Sequence, residues 1–206
     1  MEIESRFFYD SEDYDDLLSK FKAVEGLEFE GCYLEETVQY DTPDKANSFY
    51  SKEIDGRFRL RVSENLESGK KKAKISWKRR TKETYKDGIH KEEEVEVLLN
   101  NGDISRMRFL LENVIKMEKV ESYERYRNVF NANDVEIVID KFPFAVAVEI
   151  ESKAEDEDRA NDIIKEWAKK LGLDLDKAYS LSWDDKYKEL CEERGIKPEK
   201  FVKFLW

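Results

Sequence analysis

The sequence predicts an α+β protein in which seven or eight strands, mostly antiparallel, are accompanied by helices at both ends and in the middle of the chain. Six short segments alternate ionisable with apolar side chains, as a strand with one charged and one apolar face does. Three other stretches repeat apolar residues at helical spacing instead. An antiparallel set of this number can close into a barrel, which removes its exposed strand edges. If the charges point inward, helices must cover the apolar outside.

Strands alternate with turns in the first half of the chain. They are predicted over residues 2–9, 32–40, 57–62, 72–80 and 91–99. Ser11 and the acids after it are typical of a helix start, so a first helix carries Leu17 to Val24. A short helix is predicted over residues 46–54. Turns at Gly69 and Gly88 make the last three strands a meander, and His90, beside the second turn, is expected to be solvated.

Helical periodicity returns in the second half of the chain. Helices are predicted over residues 104–115 and from 155 to 171, with strands over 119–130, 134–141 and 145–152 between them. Residues 183–206 are expected to be mostly helical, with interruptions at Gly195 and Pro198. The apolar residues Phe201, Phe204, Leu205 and Trp206 could cap the barrel, pack on a helix or make a homodimer contact.

Composition limits the class of protein. A chain of 206 residues with 40% hydrophobic content can form one domain over residues 1–206, in which 154–206 is a mostly helical segment packed on the barrel. The net charge of −11 argues against a nucleic-acid or membrane partner, because such binders need a dominant basic surface. Cys32 and Cys191 have no metal-ligand spacing. Without a membrane-length apolar run, and with Met1 directly before a charged strand, a cytoplasmic location is expected.

The charged strand faces have two possible interpretations. A solvated outer face would produce the same alternation. However, basic and acidic strands are segregated along the chain, which favours a site that binds a polyanion together with a metal. Arg and Lys grip phosphate oxygens by charge-assisted hydrogen bonds, whereas carboxylates reach phosphate through a divalent cation such as Mg²⁺. A small molecule that carries a triphosphate is therefore the expected partner.

Ordered motifs along the chain resemble a known family. They are Glu2-Ile3-Glu4-Ser5-Arg6, Gln39-Tyr40-Asp41-Thr42-Pro43, Phe58-Arg59-Leu60-Arg61, Ser76-Trp77-Lys78, Glu94-Val95-Glu96, Arg125-Tyr126-Arg127, Asp140 and Val148-Glu149-Ile150-Glu151. In this order the chain resembles the CYTH superfamily, or triphosphate tunnel metalloenzymes, over about residues 1–187. That family includes class IV adenylate cyclases, thiamine triphosphatases and inorganic triphosphatases. Arg6 stands where the family has Lys, and Ser182-Trp183 stands where it has Ser-Tyr.

The resemblance implies a closed eight-stranded antiparallel β-barrel with a triphosphate tunnel and helices packed outside. It implies Mg²⁺ or Mn²⁺ as cofactor, held by Glu2, Glu4, Glu149 and Glu151. The triphosphate would be bound by Arg6, Arg59, Arg61, Lys78, Arg125 and Arg127. Asp140 would complete the metal or orienting shell, with Glu94 and Glu96 as further orienting residues. The catalytic set is then the four metal-binding glutamates with Asp140.

Three activities remain open. The first is hydrolysis of inorganic, nucleoside or thiamine triphosphate, and the second is formation of cyclic AMP and diphosphate from ATP by a class IV adenylate cyclase. The third is a non-catalytic polyphosphate or nucleotide-binding module. Arg57 and Arg80 sit at strand ends and are expected to be exposed, while Glu92 and Lys153 are placed either in the lumen or at its rim.

Overall fold

A computed structural model describes residues 2–204, with the side chains of residues 81–85 outside the description. Its strands are β1 Glu2–Tyr9, β2 Glu28–Asp41, β3 Gly56–Asn65, β4 Lys71–Lys86, β5 Ile89–Leu99, β6 Glu118–Ala132, β7 Val135–Lys141, β8 Val146–Ser152 and β9 Phe201–Val202. Its helices are α1 Tyr14–Lys22, α2 Ile104–Phe109, α3 Glu157–Leu171 and α4 Trp183–Glu193. A π-helical turn over Leu110–Val114 continues α2.

The first eight strands close into an antiparallel barrel. Their neighbour order is β2-β3-β4-β5-β1-β8-β7-β6, and pairing of β2 with β6 completes the ring. The predicted closed eight-stranded barrel is thus confirmed. Strand β9 pairs parallel to β6 at Ser122 and Tyr123, beyond the end of the β6–β7 ladder. It therefore extends the wall where β7 no longer reaches.

The apolar strand faces and the helices form the core outside the barrel. The largest group of buried apolar side chains includes Phe7 of β1, Ile137 of β7 and Ile150 of β8, packed with Phe21 of α1 and Ile164 of α3. Burial of such side chains is the main favourable term in folding. Because these residues alternate with ionisable ones, packing the apolar face under the helices turns the charged face into the barrel.

The opposite side of the barrel is less covered. Val95 and Val97 lie on the outer face of β5 and are 57% and 58% exposed. The short α2 region buries Leu111 against Tyr40 and Leu60. No helix in residues 2–204 is both long and apolar enough to cross a membrane.

Two predicted helices differ from the structure. Residues 46–54 contain only a 3₁₀ turn at Lys45–Asn47 followed by further turns. The chain after α4 is not helical, because residues 201–202 join the sheet as β9. The ring of Phe204 lies 4.8 Å from that of Tyr126, whereas Leu205 and Trp206 are outside the described residues.

His90 is buried, so the prediction of a solvated turn residue is wrong. It is 3% exposed, and its Nε2 lies 2.8 Å from the carbonyl oxygen of Tyr179. The segment before α4 packs over the β4–β5 hairpin and excludes water from the ring. Burial lowers the pKa of His90.

Candidate functional site

The charged strand faces converge on a cavity of about 440 Å³ inside the barrel. Among the described residues, nine basic and eight acidic side chains line it. The cavity brings together all the sequence-predicted site residues except Asp140, which lies behind its wall and is fully buried. The alternative in which these charges face bulk solvent is therefore wrong. The parity of the strands explains the result, since residues two apart project to the same face.

Lys78 of β4 is the centre of an acidic cluster. Its Nζ lies 2.5 Å from Glu2 Oε2, 2.8 Å from Glu92 Oε2 and 3.4 Å from Glu4 Oε2. Glu94 is at 4.0 Å. Burial alone would lower the pKa of Lys78, but Glu2 and Glu4 raise it above its ordinary value. One ammonium group thus faces four carboxylates.

The carboxylate of Glu151, on β8, has too little positive charge around it. Burial and the nearby charges of Glu2, Glu4 and Glu136 raise its pKa to about 9. Strand pairing causes this crowding, because Glu151 sits opposite Glu4 on β1 and opposite Glu136 on β7. Carboxylates that repel one another in a buried place are stabilised by a divalent cation.

Glu149, two residues earlier on β8, has the opposite environment. Its Oε1 accepts a hydrogen bond from Arg6 Nε at 2.6 Å, and its Oε2 accepts one from Arg127 Nη2 at 2.9 Å. Burial would raise the pKa of Glu149, but these two guanidinium groups hold it well below its usual range. The two glutamates of the Glu-x-Glu motif therefore differ in charge balance.

The acidic donor set fits a divalent metal in its chemistry. Glu2, Glu4 and Glu151 supply the oxygen ligands that Mg²⁺ and Mn²⁺ prefer, and the high pKa of Glu151 signals a deficit of positive charge. Even so, no group of three or more Asp, Glu, His or Cys side chains in the described part of the chain is arranged around a metal position. Lys78 and Arg6 occupy the oxygens of Glu2 and Glu4 instead.

Asp140 of β7 orients two predicted phosphate-binding residues. Its Oδ2 accepts from Arg125 Nη1 at 2.7 Å and from Arg127 Nη2 at 2.6 Å, while Oδ1 accepts from Arg127 Nε at 2.8 Å. Asp140 is fully buried, and its carboxylate accepts these three hydrogen bonds from the two guanidinium groups.

Glu35 of β2 is a site residue that the sequence reasoning missed. Arg125 Nε donates to Glu35 Oε2 at 2.8 Å, and Ser63 Oγ donates to Oε1 at 2.5 Å. Burial would raise the pKa of this carboxyl, but Arg125 and Arg61 hold it far below its usual range. The Glu35-Glu36 pair carries a weak signal, since one of two neighbouring strand glutamates must point inward.

The remaining basic residues line the middle of the cavity. Arg59 donates to Ser76 Oγ at 3.2 Å and to Glu94 Oε1 at 3.0 Å. Lys74 pairs with Glu96. Arg61 donates to Thr37 Oγ1 at 3.0 Å and lies 3.3 Å from the hydroxyl of Tyr123. Arg59 and Lys74 thus each pair with one carboxylate, whereas Arg61 has two hydroxyl groups within hydrogen-bond distance.

An aromatic wall, consisting of Tyr123, Phe142 and Trp183, lines one side of the cavity. The rings of Tyr123 and Trp183 are 4.0 Å apart, and those of Phe142 and Trp183 are stacked at 6.2 Å. Arg61, Arg125 and Arg59 lower the pKa of Tyr123 to about 8 against the effect of burial. Only Trp183 of these three belongs to a motif of the resemblance.

The start of α4 covers one mouth of the barrel, which we call the front mouth. Arg57 lies 3.9 Å from Asp184, and Arg80 lies 3.4 Å from Asp185. Both arginines line the cavity, so their predicted exposure is wrong: their side chains are only 14% and 17% exposed. Arg6 Nη1 donates to the carbonyl oxygen of Leu181 at 2.9 Å, which holds this segment against β1.

Glu92 and Lys153, both predicted to lie either in the lumen or at its rim, occupy different places in the structure. Glu92 is buried in the cavity next to Lys78. Lys153 follows β8 and is 44% exposed, with its Nζ donating to Asn131. It lies outside the cavity because the strand ends at Ser152.

Comparisons with known proteins agree with this architecture. No family model matches the chain, and no curated protein matches it significantly. Among solved structures, a Pyrococcus horikoshii OT3 protein has a TM-score of 0.72 at 19% identity, covering 92% of this chain and 99% of that one. A proposed adenylate cyclase from Vibrio parahaemolyticus has a TM-score of 0.63 at 18% identity, with 93% and 98% covered.

A third solved structure adds a described activity. It is a proposed adenylyl cyclase from Hippeastrum, described as having a dominant triphosphatase activity. Its TM-score is 0.59 at 17% identity, with 96% of this chain and 98% of that one covered. The structural neighbours therefore include proteins described as adenylate cyclases and one described as a triphosphatase, and this chain shares their fold.

Proposed function

We propose that this protein belongs with the CYTH-type triphosphate tunnel enzymes and hydrolyses the terminal phosphoanhydride of a triphosphate with the help of a divalent metal. The observation that carries this proposal is the enclosed cavity in which six predicted phosphate-binding cations face a crowded carboxylate group. Enclosing so many charges is costly unless ligands and ions compensate them. A triphosphate with its metal supplies charges of both signs.

The residues of the chain divide the work between binding and charge compensation. Arg59, Arg61 and Lys78, with the pair Arg125 and Arg127 held by Asp140, bind the phosphate oxygens and neutralise charge that develops as the bond breaks. Glu2, Glu4 and Glu151, with Glu149, would hold the metal. When bound, Mg²⁺ or Mn²⁺ supplies Lewis-acid stabilisation of phosphate oxygens and orientation of a water.

The reaction is a displacement at the terminal phosphorus. A water oxygen forms a bond to that phosphorus while the bridging oxygen leaves with the diphosphate part of the substrate. From inorganic triphosphate the products are diphosphate and phosphate. The basic side chains keep the chain of phosphates in line, since phosphoryl transfer depends mostly on position and charge.

The aromatic wall favours a second candidate, a class IV adenylate cyclase. Tyr123, Phe142 and Trp183 offer ring faces beside the cations, where a base could pack. In that reaction the ribose 3′-hydroxyl attacks the α-phosphorus and diphosphate leaves. Product identification by ³¹P NMR, from ATP, inorganic triphosphate and thiamine triphosphate with Mg²⁺ or Mn²⁺, separates the two. Phosphate release supports hydrolysis, whereas cyclic AMP and diphosphate support cyclisation.

We expect Lys78→Gln to abolish triphosphate turnover, because this side chain is the cation closest to the acidic cluster. Arg79→Gln is the matched control, since Arg79 is the next residue on β4 and pairs with Glu93 on the outer surface. Equal rates for both variants in the same phosphate-release assay would contradict the proposed site.

A metal-binding readout tests the carboxylates independently of turnover. We expect Mg²⁺ to raise the melting temperature of the wild-type protein, since a ligand that binds only the folded state stabilises it. The increase should be lost in Glu4→Gln. Tight triphosphate binding without product, in the presence of either metal, would instead indicate a non-catalytic binding module.

A further inference from the structure

A second cavity of about 270 Å³ lies at the other end of the barrel, and we call it the rear cavity. The cavity of about 440 Å³ described above is now called the front cavity. The two cavities share Arg61, Lys74, Glu96, Arg127 and Glu136. The two cavities thus lie on either side of one layer of charged side chains. The shared residues place the two cavities next to each other along the inside of the barrel.

Glu35 stands at this layer and lines only the rear cavity. Glu35 is 5% exposed, and its carboxylate links three strands: it comes from β2, accepts from Ser63 of β3 and pairs with Arg125 of β6. Arg61 Nε and Arg127 Nε each lie 3.8 Å from its Oε2. A buried negative charge therefore occupies the place where three predicted phosphate-binding guanidinium groups meet.

We propose that Glu35 closes the rear end of the phosphate-binding site and so limits the number of phosphates that the tunnel accepts. This inference rests on the proposed function, in which the front cavity binds a triphosphate. A longer chain that enters from the front would bring another phosphate against the Glu35 carboxylate. Like charges in such a buried place repel strongly, because water does not screen them.

The charge balance of the rear cavity supports this role. Its described lining contains the basic side chains of Arg61, Lys72, Lys74 and Arg127 and the acidic side chains of Glu30, Glu35, Glu96 and Glu136. These charges cancel, so the rear cavity offers no surplus of positive charge to a further phosphate. Removal of the Glu35 charge would create that surplus and would release Arg125 and Arg61.

Chain-length preference tests the proposal. The kcat/KM values for inorganic triphosphate, tetraphosphate and longer polyphosphates are compared between the wild-type protein and Glu35→Gln, with Mg²⁺ present. We expect the preference for triphosphate over the longer chains to fall by about tenfold or more in the variant, the scale expected for removing one like-charge contact. Polyphosphate binding measured by calorimetry should increase in parallel.

Glu36→Gln is the matched control for this comparison. Glu36 is the next residue on β2 and pairs on the outside with Arg108 and Lys203, so its variant should keep the wild-type preference. An unchanged preference in a folded Glu35→Gln protein overturns the proposal, whereas absence of triphosphate turnover in the wild type overturns the proposed function. If Glu35→Gln does not fold, calorimetry on the wild-type protein still tests the proposal: triphosphate should bind more tightly than tetraphosphate, and equal or tighter binding of tetraphosphate overturns it.

Discussion

At the scale of single residues, Asp140 is the predicted site residue that is fully buried and shared by two guanidinium groups. It is fully buried, and three hydrogen bonds join it to Arg125 and Arg127. Loss of one partner of a buried ion pair leaves the other charge without compensation. Asp140 therefore links the stability of the barrel to the arrangement of its phosphate-binding groups.

We expect Asp140→Asn to lower the free energy of unfolding by about 3–5 kcal/mol, because two guanidinium groups lose their shared anion. Urea denaturation measures this change. Glu64→Gln is the control, since Glu64 pairs with Lys71 at 3.0 Å on the surface and exposed pairs contribute about 0–1 kcal/mol. Similar losses for both variants would show that Asp140 has no special role.

Residue parity explains which parts of the site could be predicted. The alternation of Arg57-x-Arg59-x-Arg61 placed all three side chains on one face, and the structure has them in one cavity. Residue alternation could not predict whether a side chain at a strand end is exposed. Arg80 is covered by Asp185, which lies 105 residues further along the chain, and no local pattern reports such a contact.

At the scale of elements, the close approach of β3 and β4 depends on Gly56. A Cβ atom at this position would lie 2.2 Å from Cη2 of Trp77, which faces outward and packs edge-on against Phe49 at 5.2 Å. Gly56 pairs with Arg79, and Arg57 next to it pairs with Lys78. Gly56 therefore leaves room for the indole ring and belongs to the strand register that places Arg57 opposite Lys78.

We expect Gly56→Ala to destabilise the protein by about 1–3 kcal/mol, the usual cost of overpacking. Trp77→Phe removes the ring atoms that the new methyl group would meet, so the double variant should lose less stability than the two single losses added together. Chemical denaturation of the wild type, the two single variants and the double variant measures this coupling energy. Simple additivity would mean that the backbone moves away rather than the ring.

The covering segment before α4 shows the limit of prediction at this scale. Helical periodicity indicated the helix after Ser182, but not its position across the front mouth. That position depends on contacts between distant parts of the chain, such as the hydrogen bond from the Tyr179 amide to the Arg6 carbonyl oxygen at 2.7 Å. The same segment buries His90, and Trp183, the first residue of α4, joins the aromatic wall.

At the scale of the whole molecule, the acidic cluster makes the free energy of unfolding depend on pH when no metal is bound. The pKa of Glu151 is about 9 in the folded protein and near its ordinary value of 4.5 in the unfolded chain. Between these values the folded state holds a proton that the unfolded state has lost, so stability decreases as pH rises. Burial and then the charges of Glu2, Glu4 and Glu136 raise this pKa, and Lys78 opposes them.

We expect the free energy of unfolding in EDTA to fall from pH 5.5 to 8.5 by at most about 1.4 kcal/mol per pH unit through this group. The slope should become smaller in Glu151→Gln and should remain in Glu64→Gln. Mg²⁺ should also reduce the slope, because a cation favours the ionised carboxylate. Identical pH profiles for the wild type and Glu151→Gln would refute this assignment.

The strand order also determines when the site can form during synthesis. Strand β1 lies between β5 and β8, and β2 closes the ring with β6, so the barrel is complete only after residues 146–152 have been made. Pairing between such distant segments makes folding slow, because the entropy cost of closing a long loop comes before the stabilising contacts form. Until then, a growing chain carries β1 without its β8 neighbour and with an edge open to other strands. Glu4 thus leaves the ribosome long before Glu151, its partner on β8, has been made.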